Sequence, residues 1–87
     1  MITTELKDNF LSKIVSDAPD LLAGFDIHEM ATELNTNYRV IDALLREYES
    51  HGFMRVDRML GGGVYCHLEV RVYDFVKNGG YKVEETL

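Results

Sequence analysis

One cysteine, one proline and no apolar run of membrane-spanning length mark what these 87 residues have little of. A lone thiol, Cys66, excludes an internal disulfide framework and suits a reducing compartment. A spanning helix needs about 20 consecutive apolar residues, and none is present. The opening MITTELKDNF shows no basic-then-apolar secretion signal, so a cytoplasmic protein without a membrane partner is expected. Positive charge is also scarce: nine Lys and Arg against fifteen Asp and Glu leave a net −6. That balance argues against a non-specific nucleic-acid binder, whose signature is a basic surface, without excluding a specific one.

Catalytic patterns are missing as well. Cys66 and His67 are neighbours on an alternating stretch, so their side chains face opposite ways and cannot act as a pair. His28 and His51 fall near helix ends, and no two histidines have the i, i+4 spacing of a helical metal site. Glu69 and the pair Glu84-Glu85 have no cleft implied by the pattern, and no nucleophile motif appears. Gly61-Gly62-Gly63 lacks the Gly-Lys-Ser/Thr continuation and strand-to-helix context of a phosphate loop. The expectation is a non-enzyme with no cofactor and no metal. At 46% hydrophobic and 28% charged, the composition is that of an ordinary globular protein, long enough to bury one core unaided.

What is there centres on FDIHEMATELNTNYRVIDALLREYESHGF, residues 25–53. Asp26 is a good N-cap, Glu29 completes a capping box, and Phe25 with Met30 is spaced for a hydrophobic staple. Ile27, Met30, Ala31 and Leu34 recur on one helical face. Asn35 tolerates the left-handed conformation that ends helices, and Thr36 or Asn37 caps a second helix. Its core stripe is Ile41, Leu44, Leu45 and Tyr48, and Gly52 ends it. Upstream, Leu6, Phe10, Leu11, Ile14 and Val15 predict a helix from Thr3 or Thr4 to Asp17, closed before Pro19. Residues 18–25 read as a connector, with a helical turn or a short strand. Downstream, Val64, Cys66, Leu68 and Val70 alternate with Tyr65, His67, Glu69 and Arg71, one strand of a hairpin whose loop holds the three glycines. In the other strand Met54, Val56 and Arg58 alternate with Arg55, Asp57 and Met59. Val72, Phe75 and Val76 share a helical face ended by Gly79-Gly80, and the last residues read as a frayed tail.

These features resemble the winged helix–turn–helix family over roughly residues 20 to 70. Ala31 inside the first helix, Asn35 at the turn, Met30 and Leu34 before it and Ile41 and Leu44 after it match the family pattern. Thr36 stands where an aliphatic residue is usual. His51-Gly52-Phe53 followed by a hairpin is also similar to the family. The resemblance implies an α+β winged helix: a three-helix core, a two-stranded β-hairpin wing and a short C-terminal helix. On that reading residues 1–87 are a single winged-helix domain, with the helix–turn–helix at 26–52, the wing at 53–70, a closing helix at 71–79 and a tail at 80–87. Closing helices of this kind often pair two subunits, so a homodimer burying Phe75 is expected from the resemblance.

The charges are unevenly placed. Residues 1–34 carry two lysines against seven carboxylates, whereas residues 35–58 carry four arginines against four carboxylates. Turning Ile41, Leu44, Leu45 and Tyr48 inward turns Arg39, Ala43, Arg46 and Ser50 outward at about 100° per residue. Small Ala43 and Ser50 let such a helix lie close in a major groove while the arginines reach bases or phosphates. Asn37 and Tyr38 sit at the helix N-terminus, suited to phosphate or base-edge contact. Arg55 and Arg58 are the candidate cations of the wing. Asp42 precedes Arg46 by four residues, where it can pair with it. The expected partner is double-stranded DNA, bound as a small transcriptional regulator; the alternative is another protein, bound by a winged-helix interaction module.

Overall fold

A computed structural model of the chain describes residues 2–86. Among these residues the architecture is α+β: five α-helices and a three-stranded antiparallel sheet. Helix α1 (Thr4–Ser16) starts where the Thr3 hydroxyl accepts the Leu6 N–H at 3.1 Å, and it buries Phe10, Leu11 and Ile14 completely. Strand β1 (Leu22–Asp26) leads without a break into α2 (Ile27–Glu33). Asp26 ends the strand and caps the helix, its Oδ1 accepting from the N–H groups of His28 at 2.8 Å and Glu29 at 3.1 Å.

The turn after α2 is closed in the way its sequence suggests. Asn35 takes a φ of 56°, and Thr36 N–H returns to the Ala31 carbonyl at 2.8 Å, which satisfies a helix-end carbonyl otherwise left without a partner. Asn37 then caps α3 (Tyr38–Ser50), its Oδ1 accepting from Arg39 and Val40 N–H at 3.1 Å each. Ile41, Leu44, Leu45 and Tyr48 are all essentially unexposed, and the Tyr48 hydroxyl donates to the Lys7 carbonyl of α1 at 2.6 Å. Burial pushes that phenol well above its usual pKa, so it stays a donor. Gly52, at φ 72°, lets Phe53 N–H reach the Tyr48 carbonyl at 3.0 Å and turns the chain into β2 (Met54–Arg58).

Strand β2 pairs with β3 (Gly63–Leu68) across a single 3-10 turn, Leu60–Gly62. The alternation read from the sequence holds: Met54 and Val56 face inward beside Val64, Cys66 and Leu68, while Arg55 and Asp57 face outward. The sheet has a strand more than the expected hairpin. β1 lies on the other edge of β3, Ala23 opposite Cys66 and Phe25 opposite Val64, giving the order β1-β3-β2. Val70 corrects the strand's length. β3 ends at Leu68, and Val70 is 67% exposed at the start of α4 (Arg71–Lys77).

The expected frayed tail is a helix, α5 (Gly80–Thr86). Its first free N–H groups are capped from far away: the Asp8 carboxylate of α1 accepts from Tyr81 N–H at 2.8 Å and Lys82 N–H at 3.1 Å. The Thr4 hydroxyl also donates to Glu85. Tyr81 is buried, its ring centroid 5.0 Å from that of Phe75 and 6.3 Å from those of Tyr48 and Phe53. The Phe75 ring lies 4.7 Å from Phe53 within the same chain, so this aromatic cluster seals the back of α3. No described helix is long and apolar enough to cross a membrane.

Candidate nucleic-acid interface

With one side of α3 committed to the core, the other carries exposed Arg39, Ala43, Arg46 and Ser50 in a row. Ser50 bends back to the Glu47 carbonyl at 2.7 Å and so projects little. Ala43 is a shallow point between two arginines.

The arginines differ in how free they are. Arg39 has no carboxylate partner among the described residues; its guanidinium lies over the Tyr38 ring at 5.8 Å, and Nε reaches the Tyr38 hydroxyl at 3.4 Å. Arg46 donates Nε–H to Asp42 Oδ2 at 2.9 Å, yet its side chain remains 68% exposed. Arg55 lies 3.6 Å from Asp57 on the outer sheet face, where Asp57 also meets His67 Nε2 at 2.8 Å. Such exposed pairs are worth about 0–1 kcal/mol and yield readily to another anion.

Arg58 is placed otherwise. It continues the inner row of β2, so its side chain turns under α3 and is 33% exposed. Its Nε donates to Asp42 Oδ1 at 3.0 Å and its Nη2 to Glu49 Oε1 at 2.9 Å, tying the strand to the helix at two points. Burial works against its charge, but Glu49 and Asp42 hold the proton more firmly than usual. Asp42 bridges Arg46 and Arg58; the Arg46 hydrogen bond first, then that of Arg58, against some burial, keeps its carboxyl below the ordinary range. The network of Arg46, Asp42, Arg58 and Glu49 is neutral as a whole.

Asn37 spends its Oδ1 on capping, leaving its amide N–H groups to face outward. Tyr38 is 43% exposed and packs on the His28 ring, centroids 4.9 Å apart. These two rings line an open cleft of about 350 Å³, together with Ile27, Met59, Gly62 and Val64. The hairpin tip bounding it carries Met59, 49% exposed, and Leu60, at 103% as exposed as an isolated residue.

Four participants escaped the sequence reading: Glu49, His28, Met59 and Leu60. Strict alternation through Met54, Val56 and Arg58 was the available signal for Glu49, since it sends Arg58 toward α3. The tip was legible only as glycines.

No family model, curated protein or solved structure matches the chain. Among the described residues no group of three His, Cys, Asp or Glu side chains is placed to hold a metal ion. Cys66 is fully buried, and burial pushes its thiol up to about 12, so it is not an available nucleophile.

Proposed function

We propose that this chain is a winged helix that binds double-stranded DNA, as a small transcriptional regulator, through the outer face of α3. The order α1-β1-α2-α3-β2-β3, with a hairpin directly after the second helix of a capped helix pair, supports the winged-helix reading. The observation that carries the DNA reading is the exposed row of Arg39, Ala43 and Arg46 opposite the fully buried Ile41, Leu44, Leu45 and Tyr48. In the major groove, Asn37 and Tyr38 meet the backbone at the helix start, and Arg39 and Arg46 reach toward bases or phosphates. Arg55 is close enough to the surface to meet an adjacent phosphate. Arg58 is left out of the contact set, because releasing it would break two hydrogen bonds and leave Glu49 without its partner.

One observation favours a second reading, a protein-interaction module. Three of the four arginines in this region already have carboxylate partners, on a chain of net charge −6. A partner bearing its own cations would find Asp42 and Glu49 beside this face and Asp57 on the outer face of the sheet.

Binding to duplexes from a randomised pool, measured across a salt series, tests the proposal. Arg39→Ala should weaken binding, by roughly 1–3 kcal/mol where it reads a base, or lower the salt slope by about one where it meets a phosphate. Ala43→Glu should be worse, since it adds bulk and negative charge at the closest approach. Wild type binding no better than Ala43→Glu at low salt would refute DNA binding and leave the protein partner.

A further inference from the structure

We propose that the open edge of β1 pairs with β1 of a second copy of this chain, antiparallel about a two-fold axis at Ala23. Two three-stranded sheets then join into one of six strands. The order β1-β3-β2 leaves β1 at a border of the sheet, with a partner strand on one side only. The register says which of its backbone groups are unpaired. Leu68 N–H donates to the Leu21 carbonyl at 2.8 Å, and bonded pairs alternate along an antiparallel ladder. Ala23, opposite Cys66, and Phe25, opposite Val64, therefore turn their N–H and C=O groups to β3. Leu22 and Gly24 turn theirs the other way, where no backbone group among the described residues meets them.

That border is open to solvent. Gly24 has no side chain, and Tyr65 covers its outer face so closely that a Cβ would lie 2.8 Å from Tyr65 Cε1. Gly24 is exposed all the same, so what it exposes is backbone at the edge. The two borders of the sheet are unlike. β2 carries Arg55, Asp57 and Arg58 among its five residues, the kind of charge that keeps strand edges from pairing. β1 has no charge from Leu22 to Phe25, and Leu22 is 47% exposed. An uncharged edge with unpaired amides is a template for another strand.

The occupant is a second copy because the edge is complementary to itself. With the axis at Ala23, Leu22 of each copy falls opposite Gly24 of the other, and each such pair exchanges two hydrogen bonds. Leu22 then lies over the glycine, against the Tyr65 ring of the other copy. Each copy gives one leucine and receives one. Ala23, 2% exposed, meets its own mate, so a small side chain stands where the two inner faces approach. An isologous contact of this kind closes at two copies. It is separate from Phe75, whose ring packs on Phe53 and Tyr81 of its own chain, and it does not depend on the DNA reading. The same register sets Asp26 opposite Asp20 of the other copy, on chains of net charge −6. Pairing should therefore strengthen as salt screens that repulsion, the reverse of a contact with DNA.

The test uses the full chain. Sedimentation from about 10 μM to 1 mM should show the 10.0 kDa species giving way to one of twice that mass, at lower concentration when salt is raised. Hydrogen exchange followed by NMR reads the edge itself. The Leu22 and Gly24 amides should exchange fast in dilute solution and slow as the dimer fills, while those of Ala23 and Phe25 stay slow throughout. Leu22→Lys should move dimerisation to at least about tenfold higher concentration, and Leu22→Ile should leave it near wild type. Both variants fold, because the side chain they change is exposed on the outer face. A chain that stays at 10.0 kDa up to about 1 mM at high salt overturns the proposal. So does a dimer whose Leu22 and Gly24 amides stay unprotected, a species larger than a dimer, or Leu22→Lys pairing like wild type.

Discussion

Asp42→Asn separates what the ion network does for folding from what it does for binding. The Asp42 carboxylate takes Arg46 Nε–H at 2.9 Å through one oxygen and Arg58 Nε–H at 3.0 Å through the other. The Arg46 bond is at the surface, worth about 0–1 kcal/mol. The Arg58 bond is half sheltered, and hydrogen bonds to charged groups contribute about 1.5–3 kcal/mol. The substitution keeps an acceptor oxygen, and Glu49 still holds Arg58 at 2.9 Å. The expected loss is therefore about 1–2 kcal/mol. Urea unfolding followed by circular dichroism should show a midpoint lower by roughly 0.5–1 M with the slope unchanged. The pH dependence has a definite sign. The Arg46 and Arg58 hydrogen bonds hold Asp42 below its ordinary value of 3.8 in the folded chain, so its contribution is present above 3.8 and is lost as pH falls through the lower folded value. The gap between wild type and Asp42→Asn should close in that range. Binding should move the other way. On the DNA reading proposed above, freeing Arg46 and deleting a negative charge beside it should tighten binding and steepen the salt slope by about 0.9 if Arg46 gains a phosphate. A variant as stable as wild type at neutral pH would refute the bridging role. A destabilised variant that binds DNA no better would refute the claim that Asp42 restrains Arg46.

Three further outcomes test the fold. Tyr48→Phe removes the 2.6 Å bond to the Lys7 carbonyl and should cost about 1 kcal/mol in the same urea assay. Gly52→Ala forces a side chain onto a φ of 72°, with its Cβ against the Arg71 guanidinium, and should cost about 1–2 kcal/mol. Cys66 is buried with its thiol pushed up to about 12, so a chromogenic disulfide reagent at pH 8 should label it only in denaturant; rapid labelling of the native chain would refute its placement.

The buried half of this molecule was legible because helical burial has a period. Ile41, Leu44, Leu45 and Tyr48 are spaced for one face, and all four are sealed. The caps at Asp26 and Asn37 and the left-handed Asn35 were legible for a similar reason: each acts on backbone groups two to five residues away. β1 was harder. Leu22 to Asp26 has only Ala23 and Phe25 facing inward, and what makes it a strand is the free edge of β3, more than 35 positions on. α5 carried still less local signal. Its polar sequence reads as a tail, and its N-terminal cap is Asp8, 73 positions before Tyr81.

The exposed face of α3 was illegible in a different way, and that difference bears on function. Spacing along one helix shows that Asp42 can reach Arg46, four positions on. It says nothing of Arg58, 16 positions away on a strand, which arrives at the same carboxylate because β2 runs beneath the helix. Ion pairing across elements follows from register and packing, which no single stretch of sequence contains. Counting arginines between positions 39 and 58 therefore overstates the charge this face can offer an anion. Arg39 is exposed without a carboxylate partner among the described residues, Arg46 is exposed but shared, and Arg58 is spent on holding strand to helix. A face with so few free cations binds polyanions weakly by charge alone. If it binds DNA, the shape of the groove-lying helix must contribute what the missing charges do not.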